Sequence, residues 1–120
     1  MRIAVTGASG FVGGRVARAL AAAGHTVLPY GRRPASALAA PLRGYVAWDV
    51  TDGPIDAPPV YAVVHCAARV DDWGPEAAFH VANVDGTRAV LATWPDARRV
   101  VYVSTSSVYS DGLRTVRVRA

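Results

Sequence analysis

A short apolar strand, Arg2-Ile3-Ala4-Val5-Thr6, runs straight into Gly7-Ala8-Ser9-Gly10-Phe11-Val12-Gly13 and then into an amphipathic helix. No other feature limits the fold so strongly. A helix start presents unpaired N–H groups and a partial positive charge, which suits a pyrophosphate. Side chains would block its approach to the backbone, so the turn needs glycine. The third glycine allows close packing of helix on strand. The spacing is G-x-x-G-x-x-G rather than G-x-G-x-x-G. A bare glycine triplet also fits a tight turn without a ligand; the strand before it and the helix after it argue for the phosphate.

Beyond this opening, apolar runs alternate with Ala-rich stretches, the signature of βαβ construction and a parallel sheet. The pattern predicts strands over 2–6, 26–31, 45–48, 60–66 and 99–104. Helices are expected over 11–23 and from about Pro75 to Thr93, where proline suits a first helical position. On the first helix Val12, Val16, Ala19, Leu20 and Ala23 form the expected apolar face, and Gly24 ends it. Phe79, Asn83, Gly86 and Val90 align on the second, with Gly86 marking a close approach to the sheet. Residues 34–42 read as one helical turn or irregular loop. Residues 51–59 carry three prolines and read as loop. The fold class is therefore α/β, a Rossmann-type doubly wound parallel sheet of about five strands. Residues 1–109 form the domain, and 110–120 an edge strand or tail.

In such a sheet ligands bind beyond the carboxyl ends of the strands. At the end of the second strand, where an acid would bind the adenosine ribose of NAD, stand Gly31, Arg32 and Arg33. Two arginines suit a 2′-phosphate and favour NADP, the alternative being solvated surface charge. Asp49, followed by Val50, could accept from an adenine amino group or simply open a turn. After the fourth strand, small Ala67 and Ala68 leave room for a cofactor ribose. His65 and Cys66 lack metal-ligand partners at zinc-like spacing and read as packing residues. The hydroxyl row Ser104-Thr105-Ser106-Ser107 before Tyr109 suits a substrate oxygen or a backbone-satisfying turn.

Composition removes other classes. No apolar run reaches the roughly 18 residues of a membrane span, and the start is not a signal peptide. The single Cys66 excludes an internal disulfide and fits a reducing cytoplasm. All thirteen basic residues are arginine, giving a net charge of +4, but they are scattered. Nucleic-acid binding would gather them on one element. The expected partners are a small-molecule substrate and, as an open question, a second copy of the chain.

Together these residues resemble the extended short-chain dehydrogenase/reductase superfamily, the NAD-dependent epimerase/dehydratase group. Thr6 to Gly13 is similar to its TGxxGxxG turn, Asp49-Val50 to its adenine contact and Cys66-Ala67-Ala68 to its strand-four signature. Asn83-Val84-Asp85-Gly86-Thr87 is similar to its helix asparagine motif, and Ser104 to Tyr109 to its S-(S/T)-x-x-V-Y segment. Val70 to Pro75 resembles a loop of the 3β-hydroxysteroid dehydrogenase-like branch.

The resemblance implies a cofactor, NADP or NAD, bound by Gly7, Ser9, Gly10, Phe11, Val12, Gly13, Arg32, Arg33, Asp49, Val50, Cys66, Ala67, Ala68, Asn83 and Ser104. It places the catalytic hydroxyl on Thr105. It implies hydride transfer at a hydroxyl or carbonyl group, as in oxidoreductases and epimerases. The family finishes this chemistry with a Tyr-x-x-x-Lys pair, and the chain has no lysine. The expectation is a cofactor-binding part of such an enzyme, without its C-terminal strands and substrate domain and inactive by itself. The alternative is a non-catalytic dinucleotide-binding or regulatory module.

Overall fold

The computed structural model describes residues 1–66 and 84–103. β1 (Arg2–Thr6) leads into α1 (Phe11–Ala22), followed by β2 (Thr26–Gly31), β3 (Val46–Ala47), β4 (Ala62–His65), α2 (Gly86–Thr93) and β5 (Arg99–Tyr102). Single 3-10 turns occupy Ala35–Ala37 and Val50–Asp52. The five strands form one parallel sheet in the order β3-β2-β1-β4-β5. The chain moves outward from β1 to one edge through β2 and β3, then crosses back to β4 and β5. That reversal beside β1 places a crevice at the carboxyl ends of the strands.

Period-two alternation divides the core between the faces of the sheet. Ile3 and Val5 pack with Ala8 and Ala17 on the α1 side. Ala4 packs on the opposite side with Tyr30, Trp48, Val50, Val60, Val63, Ala89, Val90 and Trp94. Tyr30, Trp48 and Trp94 meet edge-on with centroids 5.4–5.9 Å apart. Such pairs contribute about 0.5–1.5 kcal/mol each beyond their buried area. The indole N–H groups donate to Gly53 O and Pro58 O, both at 3.1 Å, so neither polar atom is stranded.

β1 and β2 have the predicted bounds. α1 ends one residue early at Ala22, with Ala23 as its C-cap, and Gly24 then takes φ +95°. Its apolar face needs correction. The buried residues are Gly13, Gly14 and Ala17, with Val16 and Leu20 partly buried against the core. Val12, Ala19 and Ala23 are exposed. Small residues permit the closest backbone approach, so the helix seats on them, with Val16 and Leu20 packed against the same core. β3 is also shorter than the predicted 45–48. Tyr30 O accepts from Ala8 N–H on the β1 side, whereas Gly31 O accepts from Trp48 N–H on the β3 side. Pro29 therefore faces β3 as well, and it has no N–H to donate. Pairing accordingly begins only at Tyr30 opposite Val46.

β4 keeps the centre of the predicted 60–66. Val63 and His65 are buried, while Ala62 and Val64 are half-buried. β5 ends at Tyr102, with all four residues exposed. The start of the second predicted helix lies outside the described residues; the described part includes α2, on which Gly86, Ala89 and Val90 are buried. Among the described residues, no helix is long and apolar enough to cross a membrane.

Candidate functional site

The ends of β1, β2, β3 and β4 bring together most of the expected site residues that are described. Gly7 takes φ +70°, a region costly for residues with a Cβ. Its carbonyl accepts from Gly10 N–H at 3.0 Å, and Ala8 N–H donates to Tyr30 O at 2.8 Å, tying the turn to β2. A Cβ on Gly13 would lie 2.0 Å from Gly7 O and 2.5 Å from Gly7 C. No side chain fits there without moving α1 off the turn. Gly10 is the N-cap of α1, which has no side-chain cap and no acid in its first turn. The positive end of the helix thus carries no neutralising carboxylate. Phe11 and Val12 are exposed beside it, at 76% and 49%, and the Arg15 guanidinium lies 4.6 Å from the Phe11 ring centre. These features fit a pyrophosphate: open helix amides, a local positive potential and a backbone without side chains in the way.

At the end of β2, Gly31 is buried and Arg32 and Arg33 are exposed. Asp49 follows β3 and opens the Val50–Asp52 turn. Its Oδ1 accepts from Thr51 N–H at 3.0 Å and from the Thr51 hydroxyl at 2.6 Å. The turn-opening role is therefore realised. The Thr51 hydroxyl chiefly, then the Thr51 N–H and the charge of Arg32, hold this carboxyl below the usual aspartate range against its partial desolvation. Arg32 thus lies within electrostatic reach of Asp49. Val50 is buried in the aromatic core.

His65 does more than pack. It is 1% exposed, and its Nδ1 lies 2.6 Å from Thr6 Oγ1, while Nε2 lies 3.2 Å from Thr87 Oγ1. Cys66 N–H donates to Thr6 Oγ1 at 3.1 Å. With that acceptor engaged, the simplest assignment has the Thr6 hydroxyl donating to Nδ1 and Nε2–H donating to Thr87. A neutral imidazole offers one donor and one acceptor, as this arrangement requires. Burial pushes His65 down to about 4. Burial also pushes the Cys66 thiol up, away from thiolate chemistry. Among the described residues, no group of three His, Cys, Asp or Glu could hold a metal.

Ala67, Ala68, Asn83, Ser104 and Thr105 lie outside the described residues. Two features were not foreseen. Thr6 and His65 are 59 positions apart and meet only because β1 and β4 pair with Thr6 opposite His65. Tyr45, read as ordinary strand, donates its hydroxyl to Arg33 O at 2.5 Å. The signal for the first was a lone histidine at the end of an apolar strand.

Comparison with known proteins agrees with this geometry. Residues 3–118 match the NAD dependent epimerase/dehydratase family. The chain is similar to a 2-alkyl-3-oxoalkanoate reductase of Stenotrophomonas maltophilia (strain K279a), with 36% identity over 90% of this chain and 34% of the relative. It is also similar to a 3-beta-hydroxysteroid dehydrogenase of Mycolicibacterium neoaurum, with 33% identity over 92% of this chain and 34% of the relative. A short-chain dehydrogenase/reductase superfamily protein from Agrobacterium tumefaciens, solved with bound NAD, superposes with a TM-score of 0.67 at 31% identity. That match covers 91% of this chain and 34% of the other. The chain thus spans about a third of the length of these relatives. A matched segment that runs nearly end to end, on a parallel sheet with its glycine turn at the head of α1, shows that the chain belongs to the NAD dependent epimerase/dehydratase family.

Proposed function

We propose that this chain is the cofactor-binding part of an NAD(P)-dependent oxidoreductase or epimerase acting on a hydroxyl or carbonyl group of a small molecule. The observation that carries the reading is the uncapped start of α1 above a turn where a Cβ at Gly13 would overlap Gly7 O. Gly7, Ser9, Gly10, Phe11, Val12 and Gly13 would hold the pyrophosphate. Arg32 and Arg33 would take an adenosine 2′-phosphate, which favours NADP over NAD, with Asp49 and Val50 flanking the adenine. Cys66, Ala67, Ala68, Asn83 and Ser104 would line the remaining cofactor path, and Thr105 would orient the substrate oxygen. A bound nicotinamide would supply hydride chemistry at this site, and the residues named above would bind and orient it. The reductase and dehydrogenase relatives support a carbonyl or hydroxyl substrate.

Fluorescence titration with NADPH and NADH tests this reading. Gly10→Asp places a carboxylate at the helix start and should abolish binding of both. Unchanged binding would refute the site. An Arg32→Ala, Arg33→Ala double variant should bring the two affinities together, since each charged hydrogen bond to a phosphate contributes about 1.5–3 kcal/mol. The second reading is a dinucleotide-binding module without turnover; these 120 residues contain no lysine, and so no Tyr-x-x-x-Lys pair. Both readings leave these 120 residues inactive by themselves. The discriminating assay is therefore NADPH oxidation, with a panel of ketones and nucleotide sugars, by a longer chain that adds a Tyr-x-x-x-Lys segment; turnover there supports the first reading and overturns the second.

A further inference from the structure

The space beside Gly31 is already filled. A Cβ built there would lie 2.5 Å from the Tyr45 hydroxyl, 2.7 Å from Ser9 Oγ and 2.8 Å from Ser9 N. This is the position from which an acidic side chain would accept the ribose hydroxyls of an unphosphorylated cofactor. The backbone around it is held from both sides. Gly31 O accepts from Trp48 N–H at 2.7 Å, and Arg33 O accepts from the Tyr45 hydroxyl. Tyr45 is itself anchored. It is half-buried against the α1-side core, and its N–H donates to Leu42 O at 3.2 Å. A rigid ring on a fixed backbone thus reaches 12 residues back along the chain to grip the peptide of one of the two exposed arginines.

We propose that Tyr45 is a specificity-determining positioning residue: by anchoring the Arg33 carbonyl, and by filling with Ser9 the space beside Gly31, it presents the Arg32-Arg33 pair to a 2′-phosphorylated adenosine and closes the seat of an acid that would read the free ribose. The proposal rests on the reading that this arginine pair meets the 2′-phosphate. Tyr45 does not touch the phosphate. It limits the freedom of the Arg32-Arg33 backbone, so that less ordering is needed when the ligand arrives. A tyrosine that served packing alone would affect both cofactors equally.

The test compares the dissociation constants of NADPH and NADH, and of 2′,5′-ADP and 5′-AMP, for the parent chain, Tyr45→Phe and the Arg32→Ala, Arg33→Ala double variant. Tyr45→Phe removes one hydroxyl and leaves the ring in the core. Losing one hydrogen bond should weaken NADPH and 2′,5′-ADP about five- to tenfold, leaving NADH and 5′-AMP within about twofold. If the double variant loses the preference but Tyr45→Phe keeps the parental ratio, or weakens both cofactors alike, the role of Tyr45 is overturned and the arginine reading stands. If the parent shows no preference for NADPH, or the double variant retains it, both fall together. A measurement on the parent alone holds even if Tyr45→Phe fails to fold. The assigned Tyr45 ring resonances should shift with 2′,5′-ADP and stay in place with 5′-AMP; equal responses overturn the proposal.

Discussion

Acidification should destabilise this protein through His65. The imidazole is 1% exposed and sits between the hydroxyls of Thr6 and Thr87, with burial lowering its pKa from 6.5 to about 4. In the unfolded chain it titrates near the ordinary value. Between those two values the unfolded state holds the extra proton, so stability falls as pH falls. The contribution is fully present above pH 6.5 and is lost as pH drops toward 4, with a slope of at most about 1.4 kcal/mol per pH unit and a total of about 3 kcal/mol. At pH 5 the loss is about 2 kcal/mol, which lowers Tm by about 10 °C in a domain of this size. The assay is a series of thermal melts from pH 7.5 to 4.5 on the parent and on His65→Gln. The glutamine cannot titrate, so the variant should be less stable at pH 7.5 and should lose less on acidification. Asp49, whose carboxyl is held below its ordinary value, keeps its stabilising contribution across this pH range, loses it only on stronger acidification, and is common to both proteins. A stability gap that stays constant from pH 7.5 to pH 5 would refute the buried, neutral histidine.

Other substitutions test the turn, the core and the cap. Gly13→Ala sets a Cβ 2.0 Å from Gly7 O, so the two must move about 1 Å or more apart. It should cost about 1–3 kcal/mol in urea denaturation and abolish NADPH binding; a parental affinity would show the turn to be pliant. Trp94→Ala removes the indole packed on Tyr30 and Trp48 and should cost about 3–5 kcal/mol. A loss under about 1 kcal/mol would mean the aromatic cluster is not a packed core. Asp49→Ala deletes the cap of the Val50–Asp52 turn and should cost about 1 kcal/mol. The same melts decide it, and an unchanged Tm would count against the cap.

Local chemistry determined a large part of this protein from sequence alone. β1 and β2 are legible to the residue because a glycine turn, a helix and Gly24 punctuate them, and punctuation acts over a few positions. The glycine turn at the head of α1, the parallel sheet and the family follow from the same short-range pattern. Tertiary structure decided what depends on distant neighbours. α1 seats on Gly13, Gly14 and Ala17 rather than on Val12 and Ala19, because backbone approach to the sheet outweighs side-chain hydrophobicity. β3 begins late because Pro29 faces it without an N–H. Asp49 became a turn cap once Thr51 folded back on it. The Thr6–His65–Thr87 chain and the Tyr45 anchor join residues 59, 22 and 12 positions apart. Such pairs leave no periodic trace in a sequence. They exist only because the fold places their elements side by side; around His65 burial also removes competing water and makes the hydrogen bonds obligatory, whereas the Tyr45–Arg33 bond lies at the surface.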